Sequence, residues 1–114
     1  MMRRMMVLFA LVVGLAIAEK AAAAETWTDC VPMGVATFSN RVHVRCSAAV
    51  GGGILYFAMQ TTDSAAAARF VSVASSALIA GRTLKIQYDP ADLTGGTFGC
   101  ATGDCRRARA LEIL

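Results

Sequence analysis

Hydrophobic and polar positions along this chain fall into six patterned stretches after an apolar N-terminus. Arg41 to Cys46 alternates strictly, placing Val42, Val44 and Cys46 on one face and Arg41, His43 and Arg45 on the other, as a half-buried strand does. Arg82 to Tyr88 alternates in the same way, with Leu84, Ile86 and Tyr88 facing opposite to Thr83, Lys85 and Gln87, and Asp89-Pro90 ends it. Ile54 to Met59 is apolar on both faces and reads as a central strand covered on both sides. Thr26 to Phe38 mixes strand formers with Pro32 and Gly34, which predicts a first strand that is bent or interrupted. The last stretch, Arg106 to Leu114, has residues that favour helix in isolation, but its place after a strand and a loop predicts a strand.

One stretch has the other period. In residues 63–80, Phe70, Val73, Ala74, Ala77 and Leu78 share a helical face. Asp63 or Ser64 supplies the N-cap oxygen, and Gly81 supplies the left-handed residue that ends the helix. The opposite face, with Ala65, Arg69, Ser72 and Ser76, is small and weakly polar, so it suits either solvent or a homo-oligomer contact through the 63–80 helix. Ser47 to Gly53 is read as a flexible link and 91–99 as a loop. Three strands, a helix and two strands define a mainly β domain with one helix. The order β-β-β-α-β-β is that of the OB-fold, a five-stranded Greek-key barrel.

The apolar run Met5 to Ala18 follows Arg3 and Arg4 and precedes small residues, which is the layout of a secretory signal peptide spanning residues 1–24, with 25–114 as the single domain. The expectation is therefore an exported protein, periplasmic or secreted, with no membrane span after signal cleavage. Removing the leader changes the charge picture. The eleven basic residues lose Arg3, Arg4 and Lys20, and the eight acidic ones lose Glu19, leaving eight against seven in place of a formal +3. So balanced a domain has no general attraction for nucleic acid or membranes.

All four cysteines lie in the mature part. An even count in an exported small domain reads as two disulfides, with three pairings open. Cys30 with Cys46 and Cys100 with Cys105 is the favoured set: the first ties neighbouring strands, and the second flanks the turn-forming Ala-Thr-Gly-Asp. Metal is not expected, because zinc needs reduced thiols and close ligand pairs, whereas this chain offers one Cys-x4-Cys and a distant His43.

Four pieces of the chain belong together: Trp27-Thr28, the helix running into Gly81, the run from Gly81 to Thr94 (GRTLKIQYDPADLT), and the close pair Cys100 and Cys105. With them the chain resembles the OB-fold B subunits of pentameric bacterial toxins, of the subtilase cytotoxin and typhoid toxin type. Those subunits carry a similar glycine, alternating strand, tyrosine, acidic residue, proline and threonine after their helix, then a late close disulfide. The resemblance covers about half of the mature chain in short pieces. It implies an exported OB barrel, a ring of five and a catalytic partner encoded elsewhere. This chain is shorter between Thr94 and Cys100 and has only Tyr56 in its middle strands, so no sugar-binding position is carried over.

The candidate ligand face is the row Arg41, His43 and Arg45, about 7 Å apart along a strand, with Tyr56 as a stacking ring. In an OB-fold the second and third strands form the usual binding face for oligonucleotides and oligosaccharides. An anionic ligand suits this row, and a sialylated or sulfated glycan suits an exported protein. An oligonucleotide-binding OB domain is the less fitting alternative, since it calls for more basic groups and more aromatics. The competing plain reading is a solvated strand face. A second basic group, Arg106, Arg107 and Arg109, reads either as a surface strand paired with neighbours such as Asp104 and Glu112 or as an interface to a partner chain. A structural or inhibitory protein working through protein contacts is thus a further class. Catalysis and a cofactor are not expected: there is one histidine, no Gly-x-Ser-x-Gly, no His-Glu-x-x-His and no Cys-x-x-Cys, and neither glycine run precedes Lys-Ser/Thr.

Overall fold

The computed structural model describes residues 24–114; the expected signal peptide therefore lies outside the described residues, apart from Ala24. Its strands are β1 (Thr26–Cys30), β2 (Pro32–Thr37), β3 (Arg41–Val50), β4 (Ile54–Gln60), β5 (Leu84–Tyr88) and β6 (Cys105–Ile113), with one helix, α1 (Ser64–Ala80), between β4 and β5. They form a six-stranded sheet in the order β1-β5-β6-β4-β3-β2. The pairs given are antiparallel except β4 with β6, which run parallel with Tyr56 opposite Cys105 and Phe57 opposite Arg106.

The expected layout, a five-stranded Greek-key barrel with a flexible link at 47–53, needs correcting on two counts. The stretch 26–38 is two strands, because Val31 leaves the ladder: β1 pairs with β5, while β2 begins at Pro32 and pairs with β3. No ladder joins β1 to β2, so the sheet is mixed and open. Because a single residue separates these two edge strands in sequence, the edges meet at Val31, whose carbonyl accepts from Ser47 N at 2.8 Å. The second correction lies in 47–53. Ser47 to Val50 continues β3 after a register irregularity, and only Gly51–Gly53 makes the turn. Gly52 and Gly53 supply the positive φ, 82° and 78°, that brings Gly53 N within 3.0 Å of Val50 O.

The helix follows the spacing of its apolar residues. Asp63 Oδ1 accepts from Ala66 N at 3.0 Å, Gly81 ends the helix at φ 64°, and Ala67, Phe70, Ala74 and Ala77 are buried, with Val73 and Leu78 half-buried. All of these apolar residues but Leu78 pack with Val42, Val44, Phe57, Leu84, Ile86 and Tyr88 in the main core. The last stretch is a strand, as its context predicted, because β6 finds hydrogen-bonding partners on both sides, in β4 and β5. Propensity for helix loses to that pairing. Both expected disulfides are present, Cys30–Cys46 and Cys100–Cys105.

Strand β4 is central and covered on both faces, as its apolar pattern predicted. Phe57 points into the core under α1, while Ala58 belongs to a second cluster with Phe98, Cys100 and Cys105, against which Tyr56 packs. That second cluster seats the loop between β5 and β6 on the same sheet face that carries Arg41 and His43.

Candidate functional site

Alternation along β3 buries Val42, Val44 and Cys46 and turns Arg41, His43 and Arg45 to the other face. Register then sets their neighbours: Arg41 lies opposite Gln60, His43 opposite Ala58 and Arg45 opposite Tyr56. A small residue opposite His43 leaves room for a diagonal neighbour. The His43 ring sits 5.0 Å from Tyr56 on one side and 5.1 Å from Phe38 on the other, and the Arg41 guanidinium carbon lies 4.1 Å above the Phe38 ring. The result is a continuous row, Arg41-Phe38-His43-Tyr56, of a cation and three rings.

The loop 89–104 forms the wall of the site. Its short 3-10 helix, Thr94–Phe98, buries Phe98, and Gly99 follows at φ 92°. The positive φ favours glycine there, and a Cβ would stand 2.5 Å from Arg41 Nη1, so any larger residue would push the guanidinium aside. Arg41 is further held by Asn40 Oδ1 at 3.3 Å and, more loosely, by Phe98 O at 3.5 Å. Next, the Cys100–Cys105 disulfide closes the turn, and the Asp104 carbonyl accepts from both Leu55 N (2.9 Å) and Tyr56 N (3.0 Å). Those two bonds clamp the end of the loop onto the start of β4.

Arg41, His43, Tyr56, Gly99, Ala101, Asp104 and Cys105 together surround an open hollow of about 250 Å³. Three of the four residues singled out from the sequence are therefore brought together. Arg45 is not among them; it is exposed beyond Tyr56 on the same strand face. Phe38, Gly99 and Asp104 complete the site and were missed. Phe38 carried a signal of a kind, an aromatic residue immediately before the Ser-Asn turn into the cationic strand. Nothing local marks Asp104 as part of this lining. An acidic residue in the same lining as Arg41 gives the hollow groups of both signs, which suits a ligand that offers both an anion and hydrogen-bond donors.

The second basic group serves the loop. Arg106 donates to the carbonyls of Pro90, Thr102 and Cys105, Arg107 donates to Thr94 Oγ1 at 3.2 Å, and Arg109 pairs with Asp92 at 3.2 Å and Glu25 at 3.5 Å. The acidic partners are thus Asp92 and Glu25, not the expected Asp104 and Glu112. Asp92 also accepts from the Thr94 hydroxyl and backbone, and these hydrogen bonds, with lesser help from Arg107 and Arg109, hold its carboxyl below the usual range. The loop that walls the hollow is anchored along most of its length.

Burial, and secondarily the Arg41 charge, push the His43 imidazole below its ordinary value of 6.5. It is neutral at pH 7 and presents one donor and one acceptor. Since the unfolded chain takes up this proton first, stability is fully present above pH 6.5 and declines as pH falls from there toward the lower folded value. Urea titrations at pH 7.5 and 5.5 should show that loss, and His43→Gln should remove the part of the slope just below pH 6.5. An unchanged slope in the variant would place the linkage elsewhere.

No family model, curated protein or solved structure matches this chain. Among the described residues no group of His, Cys, Asp or Glu is arranged to hold a metal ion, and no helix is long and apolar enough to cross a membrane.

Proposed function

We propose that this chain is an exported binding module of OB type whose β3–β4 face and 89–104 loop hold a glycan, without turnover or cofactor. The observation that carries the reading is the convergence of Arg41, His43 and Tyr56 with Gly99 and Asp104 around one hollow. Protein sites for sugars need flat rings to cover the ring C–H faces and fixed polar groups for the hydroxyls, and this hollow offers both. Arg41 suits a carboxylate or sulfate on the glycan, and Asp104 suits its hydroxyls. Support for the OB path comes from the strand order read from β2 through β3, β4, β6 and β5 to β1, with the parallel β4/β6 pair and the helix between β4 and β5. On that path 26–37 is one broken first strand, and the binding face and loop coincide with those OB-folds use. Export is supported by two buried disulfides.

The test is a glycan array followed by titration of the best binder into the protein and its Arg41→Ala and Gly99→Ala variants. Losing the guanidinium should weaken binding tenfold or more, about 1.5–3 kcal/mol for a hydrogen bond to a charged group. Gly99→Ala should match much of that loss by displacing Arg41, and should cost about 1–3 kcal/mol of stability through the positive φ. A blank array, together with a blank heparin column at low salt, would remove the reading.

A second class, a structural or inhibitory protein acting through protein contacts, is favoured by Trp27, Val31 and Met33. They are 44%, 52% and 57% exposed, Trp27 in β1, Val31 at the break and Met33 in β2. Large apolar side chains exposed this close together in the chain are what a protein interface would cover. Co-purification of a stable partner, unaffected by Arg41→Ala, would favour it. The likeness to toxin B subunits remains a proposal resting on the sequence pieces above, and a pentameric mass by light scattering is its direct consequence.

A further inference from the structure

A second hollow lies away from the Arg41 site, where the first half of α1 crosses β6 and the end of β4. It measures about 380 Å³, its floor is Met59, Phe70, Val73 and Leu111, and Arg69 and Arg109 stand at its rim. The floor residues belong to or pack on the main core, so the hollow is a gap left between helix and sheet and not a loop artefact of the surface. The proposed glycan site does not use it, and only Arg109 is shared with the anchoring of the 89–104 loop, through Asp92.

We propose that this groove binds a small amphipathic carboxylate, with its aliphatic chain on the Met59-Phe70-Val73-Leu111 floor and its head group on Arg69. Charge decides the head group. Arg109 is already compensated by Asp92 and Glu25, whereas Arg69 has no acidic partner among the described residues, so the rim carries one uncompensated positive charge. A monoanion matches it. Size decides the class of occupant: the volume is at the lower end of small-ligand pockets, about 300–1,000 Å³. A stable protein interface needs roughly 800 Å² on each partner, far more than a concavity confined to half of one helix. Methionine adds tolerance to the shape of the chain, since its thioether adapts to irregular gaps.

The experiment is an NMR titration of the oxidised, isotope-labelled protein with hexanoate, octanoate and decanoate below their micelle concentrations, with decyltrimethylammonium as the cationic control. The expected result is shift changes confined to Met59, Ala66 to Val73 and Arg109 to Leu111, with affinity rising about twofold to fourfold per buried methylene. Arg69→Gln, an exposed substitution that leaves the fold intact, should weaken decanoate by roughly threefold to tenfold. Equal binding of decyltrimethylammonium, an unchanged affinity in Arg69→Gln, or no shifts at millimolar decanoate would each overturn the assignment. Because the groove and the Arg41 hollow share no residue, a failed glycan titration leaves this result readable, and the reverse holds too.

Discussion

Replacing Phe57 by alanine should cost about 3–5 kcal/mol, the usual range for emptying a fully buried aromatic site. Phe57 has no exposed surface, packs edge-on against Tyr88 at 4.9 Å between ring centroids, and sits in the main core with Phe70 and Ala74 of α1. Its backbone is also fixed, because β4 is paired on both sides by β3 and β6. The surrounding residues therefore have little freedom to collapse into the space. For a domain of this size, total stability is on the order of 5–10 kcal/mol, so the variant should be marginally folded at 25 °C. Urea denaturation followed by far-ultraviolet circular dichroism measures the difference. A loss below about 1 kcal/mol would mean that Phe57 does not sit in a packed core.

The second large effect belongs to the Cys30–Cys46 pair. Both residues are 1% exposed, and the bond joins β1, at one edge of the sheet, to β3, which is paired with the strand at the other edge. It spans 16 residues in sequence, for which chain entropy alone predicts about 3 kcal/mol. In a domain this small that is equivalent to a fall in Tm of roughly 12–24 °C. The Cys30→Ala/Cys46→Ala protein should lose it, and should loosen first where the two edges meet at Val31. The Cys100–Cys105 pair makes an informative contrast, since it closes a loop of only five residues and is worth roughly 2 kcal/mol on the same formula. Its removal should leave the main core folded while releasing the wall of the Arg41 hollow, so glycan affinity should fall more than stability does. Equal effects on both properties from the two double variants would contradict this division of labour.

Much of this architecture could be read from the chain before the structure. The helix was legible because its cap, apolar face and terminal glycine agree, and β3 and β5 were legible because each buries one face only. Both disulfides followed from the cysteine count and from which strands are neighbours in sequence. The last strand was harder: RRARALEI favours helix locally, and only its long-range pairing with β4 and β5 makes it β6. The interruption of the 26–38 strand was legible from Pro32 and Gly34, but its consequence was hidden for the same reason, since nothing short-range says that β1 and β2 will pair with different strands. At the candidate site, period two along β3 located Arg41 and His43, but Arg45 fell outside the hollow because the 89–104 loop covers only one end of that face. Gly99 and Asp104 reach the hollow only through the fold, about which a sequence pattern says nothing, whereas Phe38 sits three residues before Arg41. Arg106, Arg107 and Arg109 looked like a surface patch and turn out to hold that loop in place.

An NMR titration of the oxidised protein with sialyllactose tests the proposed glycan site at the Arg41 hollow. The expected shift changes cluster at Phe38, Arg41, His43, Tyr56 and Gly99 to Cys105, and vanish in Arg41→Ala while the spectrum of the fold persists. Shifts clustering instead along Trp27, Val31 and Met33, or none at millimolar ligand with sulfated glycans equally silent, would contradict it.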